Sequence, residues 1–263
     1  MPVDTDRQRE DEQEELHGQM SFLDHLEELR KRIIHSLIAI GVALGVCWTF
    51  ADALADALFR AVAGPINQAG VTTLVVFSPT EGFNLELKLA LMAAVFLASP
   101  FVLGQVWLFI APGLYKHERK YALPFIFFSS LLFALGGLFG YFVAFPFALK
   151  FLLEWEKNMG VTALINASQY FDLFIMVELG LAVIFEIPAL IFLLARIGLV
   201  SGPFLLRNTR YAILLAFVVA AVITPTTDIP NMMMMAIPMV ALYLLGVVVA
   251  YVFGKKRTKE PGD

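Results

Sequence analysis

The stretch LALMAAVFLASPFVLGQVWLFIA, from Leu89 to Ala111, contains no Asp, Glu, Lys or Arg among its 23 residues. A helix of about 20 apolar residues spans the roughly 30 Å hydrocarbon core of a bilayer. Because that core holds no water to satisfy backbone N–H and C=O groups, a crossing segment of this kind has to be helical. The sequence therefore predicts a membrane-spanning helix here.

Five more apolar stretches occur along the 263-residue chain, in which 59% of residues are hydrophobic and 16% are charged. They are Ile33–Ala51, Tyr121–Leu149, Leu173–Ala195, Tyr211–Thr227 and Ile229–Gly254. Phe and Leu dominate, without the alternating pattern of an outer-membrane β-strand. We predict an all-α polytopic membrane protein with six transmembrane helices. The outer loops, residues 52–86 and 150–170, are expected to form a cap of short helices.

The fifth stretch has only 13 residues, Tyr211 to Ile223, before Thr224 and Pro225 interrupt it. As a helix these 13 residues would be roughly 20 Å long, at about 1.5 Å per residue. Either the bilayer is thinner here, or the turn Thr224–Asn231 lies below the outer surface and is sheltered by other helices. A third interpretation lets the helix continue through Pro225. In the sixth stretch, Pro238 predicts a kink.

Lysine and arginine are distributed unevenly, which predicts the orientation of the chain. Fifteen of the 19 fall in the N-terminal segment, the second and fourth loops and the C-terminal tail. The other four are Arg60, Lys88, Lys150 and Lys157. We therefore predict a multi-pass protein of the plasma (inner) membrane with both termini in the cytoplasm. Residues 1–20 are expected to be a disordered acidic tail, 21–254 the membrane domain and 255–263 a basic tail.

Several function classes have no signal in this sequence. The net charge is −4 and no basic run precedes the C-terminal tail, so nucleic-acid binding is not expected. The single cysteine, Cys47, excludes an internal disulfide and a cysteine-rich metal site. HExxH, GxSxG, a phosphate-binding loop and a nucleophile–base pair are all missing, so we predict no enzyme activity, cofactor or metal.

Acidic side chains lie beside basic ones in two predicted cytoplasmic segments. In Ser21–Arg32, SFLDHLEELRKR, a Ser-x-x-Asp signature opens an amphipathic helix. The simplest interpretation is an interfacial helix with i,i+4 pairs Glu27–Lys31 and Glu28–Arg32. In the loop APGLYKHERK, the simplest role of Glu118 is to complement the dipole of the third helix.

The fourth stretch contains two acids, Glu178 and Glu186. A charge at the bilayer centre costs about 2.5–3.5 kcal/mol, so both are expected to face the bundle interior or a water-filled cavity, or to be protonated. They serve either a function or helix association as polar contacts, and Pro188 weakens the helix beside Glu186. Gln105 and the Met232–Met235 run are expected to be packing residues.

These motifs together resemble the TatC family, the multispanning receptor subunit of the twin-arginine protein translocase. Ser21–Arg32 resembles the family's SFLxHLxELRxR opening, and Gln105–Arg119 resembles its second-span and loop signature. Further matching segments in the same order are Ser78–Glu81, Phe185–Pro188, Thr224–Pro225 and Ala236–Met239. The resemblance implies a cup-shaped bundle that binds twin-arginine signal peptides of folded precursors. It also implies TatA- and TatB-type single-span partners, self-association, and export driven by the proton gradient.

The resemblance also suggests site residues. Glu28, Arg30, Phe109 and Glu118 match positions that imply signal-peptide binding. A carboxylate accepts a guanidinium through two parallel hydrogen bonds, which lysine cannot copy.

Glu178, Glu186 and Asp228 are the corresponding candidates for an intramembrane polar patch and partner docking. Many relatives read TPxD, with Gln four residues later. Here TPTTD is one residue longer and Met232 stands at the Gln position. Asn231 is therefore an alternative to Asp228. A rival hypothesis is a small-molecule or ion transporter with Glu178 and Glu186 as a proton relay. That hypothesis predicts acids or amides on several spans facing one cavity, whereas the intramembrane acids here are on a single span.

Overall fold

A computed structural model describes residues 22–54, 56–57, 74–110, 122–158, 164–224 and 228–254. The described residues form helices and turns, with one isolated bridge between Val75 and Asn166. This confirms the all-α prediction. Both predicted tails and Glu118 lie outside the described residues.

Nine α-helices and one π-helical segment make up the described fold. In chain order they are α1 (Phe22–Trp48), α2 (Pro79–Ile110), α3 (Ala122–Phe139), the π-helix Gly140–Ala144, α4 (Phe145–Asn158), α5 (Ala167–Ile184), α6 (Ile187–Arg196), α7 (Gly202–Arg207), α8 (Thr209–Ile223) and α9 (Ile229–Phe253).

Five helical segments in the described part of the chain are long and apolar enough to cross a membrane. They are Asp24–Trp48, Pro79–Ile110, Leu123–Trp155, Ala167–Arg196 and Ile229–Phe253. The shorter apolar helix α8 has 15 residues, which is about 22 Å. These are the five long stretches and the one short stretch that the sequence predicts.

The ends of the helices differ from the prediction at the third loop. Helix continues past Lys150 to Asn158, and α5 begins at Ala167 rather than at Leu173. The outer segment that begins at Lys150 therefore starts inside a helix, because charged residues mark where a helix leaves the bilayer and do not end the helix. Lys150 and Glu154 lie 3.8 Å apart as an i,i+4 ion pair on this extension.

Proline positions divide the last part of the chain. The fourth stretch breaks at Phe185–Glu186, and Pro188 is in the first turn of α6, as its sequence predicts. Thr224 has extended backbone with ψ 134°, so the interpretation in which α8 continues through Pro225 was wrong. Pro238 lies inside a continuous α9.

The main apolar core surrounds α5. Phe171, Phe174, Val177 and Leu181 are all at most 1% exposed and pack with residues of α2, α4, α8 and α9. By contrast, α1 packs mainly on α2, through small residues such as Ala43. Small residues let membrane helices approach closely without a hydrophobic driving force.

One end of the bundle brings together the start of α1, the end of α2, the start of α3, and the ends of α6 and α9. Ring contacts that connect these elements are His25–Phe109, Trp107–Phe125, Phe125–Phe192 and Phe192–Phe253. We call this the terminal end of the bundle, because α1 begins and α9 ends there. At the opposite end, Lys88 and Asp172 form an ion pair between α2 and α5.

Candidate functional site

Two ion pairs near the start of α1 differ in how exposed their side chains are. Lys31 lies 2.9 Å from Glu27, and both side chains are about 60% exposed, at 58% and 63%. Arg32 Nε donates to Glu28 Oε1 at 2.7 Å, and these side chains are only 25% and 18% exposed. The i,i+4 pairs are therefore both present, but only the Glu28–Arg32 pair is directed toward the neighbouring helix.

Gln105 of α2 connects that pair to the second helix. Arg32 Nη1 donates to Gln105 Oε1 at 3.1 Å, and Gln105 is 8% exposed. The expectation that Gln105 only fills space was wrong, because a buried amide needs a hydrogen-bond partner and Arg32 supplies one. A chain of contacts thus joins Glu28, Arg32 and Gln105 across the α1–α2 interface.

An aromatic pair borders this chain of contacts. The rings of His25 and Phe109 stack with centroids 4.5 Å apart. His25, Glu28 and Arg32 share one face of α1, since they are three and four residues apart, and Gln105 and Phe109 share one face of α2. We call these five residues the α1–α2 cluster.

The cluster can receive a further cation. A carboxylate has about four lone-pair sites on two oxygens, and Arg32 contacts Glu28 at Oε1. The face of an aromatic ring such as that of Phe109 also attracts a guanidinium. The chemistry available is recognition of an arginine side chain, with Arg32 as the internal partner that orients the acid.

The structure does not bring every predicted peptide-binding residue into the cluster. Arg30 is exposed. It lies two positions from both Glu28 and Arg32, which is about 200° around a helix of 3.6 residues per turn. Glu118 is not among the described residues, so its distance from Glu28 is untested.

Glu186 lies at the break between α5 and α6 and faces α3. Ser129 Oγ donates to Glu186 Oε2. Within the described part of the chain, Glu186 Oε1 is buried and has no hydrogen-bond partner. Among the described residues, the Glu186 carboxyl group therefore makes one polar contact, which joins α3 to the break between α5 and α6.

Glu178 is more deeply buried, at 4% exposed, and also faces α3. A Cβ added at Gly140, where the π-helix begins, would lie 3.0 Å from Glu178 Oε2. The absence of a side chain at Gly140 therefore leaves the space that the carboxyl group occupies. Both acids point into the bundle, as their position in an apolar span predicts.

Asp228 has a structural role in the described chain. It is the N-cap of α9, where Oδ1 accepts from Asn231 N at 2.8 Å and Oδ2 accepts from Asn231 Nδ2 at 2.9 Å. Asp228 and Asn231 are therefore bonded to each other and are not alternatives. Among the residues that the structure describes, no three His, Cys, Asp or Glu side chains are grouped to hold a metal ion.

The family model of the Sec-independent protein translocase protein (TatC) matches residues 24–238. The chain belongs to the TatC family. A TatC protein of Koribacter versatilis (strain Ellin345) is 49% identical over 253 residues, 94% of this chain and 91% of the relative. A TatC protein of Helicobacter pylori (strain ATCC 700392 / 26695) is 39% identical over 226 residues, 86% of this chain and 85% of the relative.

Solved structures agree with this membership. Two crystal structures of the twin arginine translocase receptor TatC, one of them in DDM, are each 34% identical to this chain and cover 86% of it. Their TM-scores are 0.73 and 0.75, and the matches cover 97% and 99% of those chains. The matched family and both structures are of translocase proteins, so they give no support to the transporter hypothesis.

Three members of the cluster were not among the predicted site residues. His25 was not singled out, Arg32 was interpreted as half of a surface ion pair, and Gln105 as packing. The spacing of Gln105 and Phe109, four residues apart in the uncharged stretch Leu89–Ala111, was the available signal. It could not identify Arg32 as the partner, because the contact joins residues 73 positions apart.

Proposed function

We propose that this TatC-family protein is a receptor for twin-arginine signal peptides on folded precursor proteins and binds them at its terminal end. The α1–α2 cluster is the observation that carries this proposal. It combines the carboxylate of Glu28, the aromatic ring of Phe109 and the guanidinium of Arg32. Arg32 is in turn hydrogen-bonded to the amide of Gln105. The two matching crystal structures are of TatC as a twin arginine translocase receptor, which supports the same function.

In the proposed binding mode, Glu28 accepts one arginine of the peptide. Arg32, itself held by Gln105, keeps the carboxylate facing α2, so that the incoming guanidinium meets an acid that is already oriented. Charge-assisted hydrogen bonds of this kind are worth about 1.5–3 kcal/mol each. Phe109 contributes a ring face to the same cation. Glu118 is the proposed second acid for the second arginine, and Arg30 is the proposed contact on the exposed side.

The orientation that suits this function places both termini in the cytoplasm of a cell with an inner membrane. The excess of lysine and arginine in the segments at the terminal end supports it. The protein would then act as a translocase component and not as an enzyme.

The partners that we propose are TatA- and TatB-type single-span subunits and further copies of this chain. Support comes from α8, on which an outward face of apolar side chains remains uncovered. Leu214, Leu215, Val218 and Val222 are 53–69% exposed. Glu178, Glu186 and Asp228 are proposed to contribute polar contacts to partner helices during export driven by the proton gradient.

The test compares adjacent acids on α1. Photo-crosslinkable signal peptides with Arg-Arg or Lys-Lys are bound to membranes containing Glu28→Gln, Glu27→Gln or the natural protein. We expect Glu28→Gln to weaken Arg-Arg peptide binding by roughly tenfold or more, from the loss of about 1.5–3 kcal/mol. Glu27→Gln, whose acid is exposed and paired with Lys31, should bind like the natural protein.

Arg32 gives a second variant for the same assay. Arg32→Lys keeps the charge but loses the planar fork that reaches Glu28 and Gln105 together, so peptide binding should weaken severalfold. Equal binding of Arg-Arg and Lys-Lys peptides, or equal losses in Glu27→Gln and Glu28→Gln, would refute the proposed recognition by Glu28.

A further inference from the structure

An apolar groove of about 390 Å³ lies at the terminal end, and none of the five residues of the α1–α2 cluster lines it. It is formed by the start of α3, by α6 and by the end of α9. Its lining includes Phe125, Phe128, Phe192, Leu245 and Phe253, and every lining residue is apolar except Arg196. Phe128, Leu245 and Phe253 are between 48% and 61% exposed, so the groove opens toward the outside of the bundle.

Arg196 places a positive charge at the terminal end of this groove. It is in the last turn of α6, and its Nη1 donates to the backbone carbonyl of Phe253 at 3.3 Å. A guanidinium has five N–H donors in a planar fork. It can therefore hold the end of α9 and also bind the oxygens of a phosphate group.

The charge pattern identifies the class of ligand. No acidic residue lines the groove, and the sequence after Gly254 continues with Lys255, Lys256 and Arg257. A long apolar surface ending in a cation complements a molecule with an apolar chain and an anionic head. Basic pockets between membrane helices are typical binding sites of anionic lipid headgroups.

We propose that this groove binds an anionic phospholipid, with an acyl chain against the Phe128–Leu245 wall and the phosphate on Arg196. A twin-arginine signal peptide is a poorer match, because its arginines would lie beside Arg196 and repel it. The bound lipid would fill the space between α3, α6 and α9, and would hold these helices together at the end where α6 and α9 terminate.

The experiment measures lipid retention by native mass spectrometry of the full-length protein in detergent, equilibrated with equal amounts of phosphatidylglycerol and phosphatidylcholine. We expect retained phosphatidylglycerol to exceed phosphatidylcholine, and Arg196→Gln to reduce its retention by roughly tenfold, the effect of one lost charge-assisted contact. The Arg196→Lys variant should still retain most of the phosphatidylglycerol. The control is Arg207→Gln, which removes an exposed arginine that does not line the groove. Its retention of phosphatidylglycerol should equal that of the natural protein.

A second variant tests the apolar part of the site independently of charge. Ala189, 7% exposed and part of the lining, is replaced by Leu to fill the groove, and retention of both lipids should fall. Unchanged size-exclusion elution confirms that each variant is folded.

Three results would overturn the proposal. They are equal retention of the two lipids by the natural protein, the same loss in Arg207→Gln as in Arg196→Gln, and undiminished retention in Ala189→Leu. A benzophenone residue at Phe128 that labels a signal peptide and no lipid would also overturn it, in favour of a peptide groove.

Discussion

Ser129 and Ser130 are adjacent on α3, yet their hydroxyl groups bond to different elements. Ser129 Oγ donates to Glu186, at the break between α5 and α6, whereas Ser130 Oγ donates to the Ile126 carbonyl of its own helix at 2.7 Å. Hydrogen bonds between membrane helices contribute about 0.6 kcal/mol on average and up to about 1.7 kcal/mol. We expect Ser129→Ala to lower the free energy of unfolding by about this amount, and Ser130→Ala to change it by less, as measured by thermal unfolding in detergent. Equal losses in the two variants would show that the Ser129–Glu186 contact does not stabilise the bundle.

Helix α3 approaches α5 closely because Gly136 has no side chain. A Cβ there would lie 2.7 Å from both Ala182 Cα and Leu181 O, which are backbone atoms that cannot move aside. Gly136→Ala should therefore force the helices apart, at a cost of about 1–3 kcal/mol. Gly41→Ala on α1 is the control, since nothing lies within 4 Å of its Cβ position, and a helical glycine replaced by alanine gains about 0.5–1 kcal/mol. The thermal unfolding midpoint should fall in Gly136→Ala and rise in Gly41→Ala. A fall in Gly41→Ala as large as that in Gly136→Ala would contradict the close contact assigned to Gly136.

The positions of the helices could be predicted from the sequence because the bilayer fixes the length of an apolar span. Their ends could not be predicted equally well, since the helix through Lys150 continues beyond the span that its apolar residues define. Contacts within a helix, such as Glu28–Arg32, follow from spacing. The Arg32–Gln105 bond does not, because the packing of α1 on α2 brings these two residues together. The same limit applies to Asp228, whose capping role depends on where α9 begins.

For the whole molecule, the orientation in the membrane is the first prediction to test. In a background with Cys47→Ser, which removes the single cysteine of the chain, one new cysteine is placed either at Asp24 or at Leu164. Asp24 is near the terminal end, and Leu164 precedes α5 at the opposite end. A membrane-impermeant maleimide added to spheroplasts should label Leu164→Cys at once and Asp24→Cys only after lysis. The reverse pattern would mean that the excess of lysine and arginine has been assigned to the wrong side.

The depth of the short helix α8 can then be measured with a second cysteine of matched exposure. Ile229, the first residue of α9, is 71% exposed in the protein, and Leu164 is 74% exposed. The two sites therefore differ in reactivity only through the surrounding membrane. Because α8 spans only about 22 Å of a roughly 30 Å hydrocarbon core, Ile229→Cys should react with the maleimide severalfold more slowly than Leu164→Cys. Equal rates would instead indicate that the bilayer thins around α8, so that the helix crosses it completely despite having 15 residues.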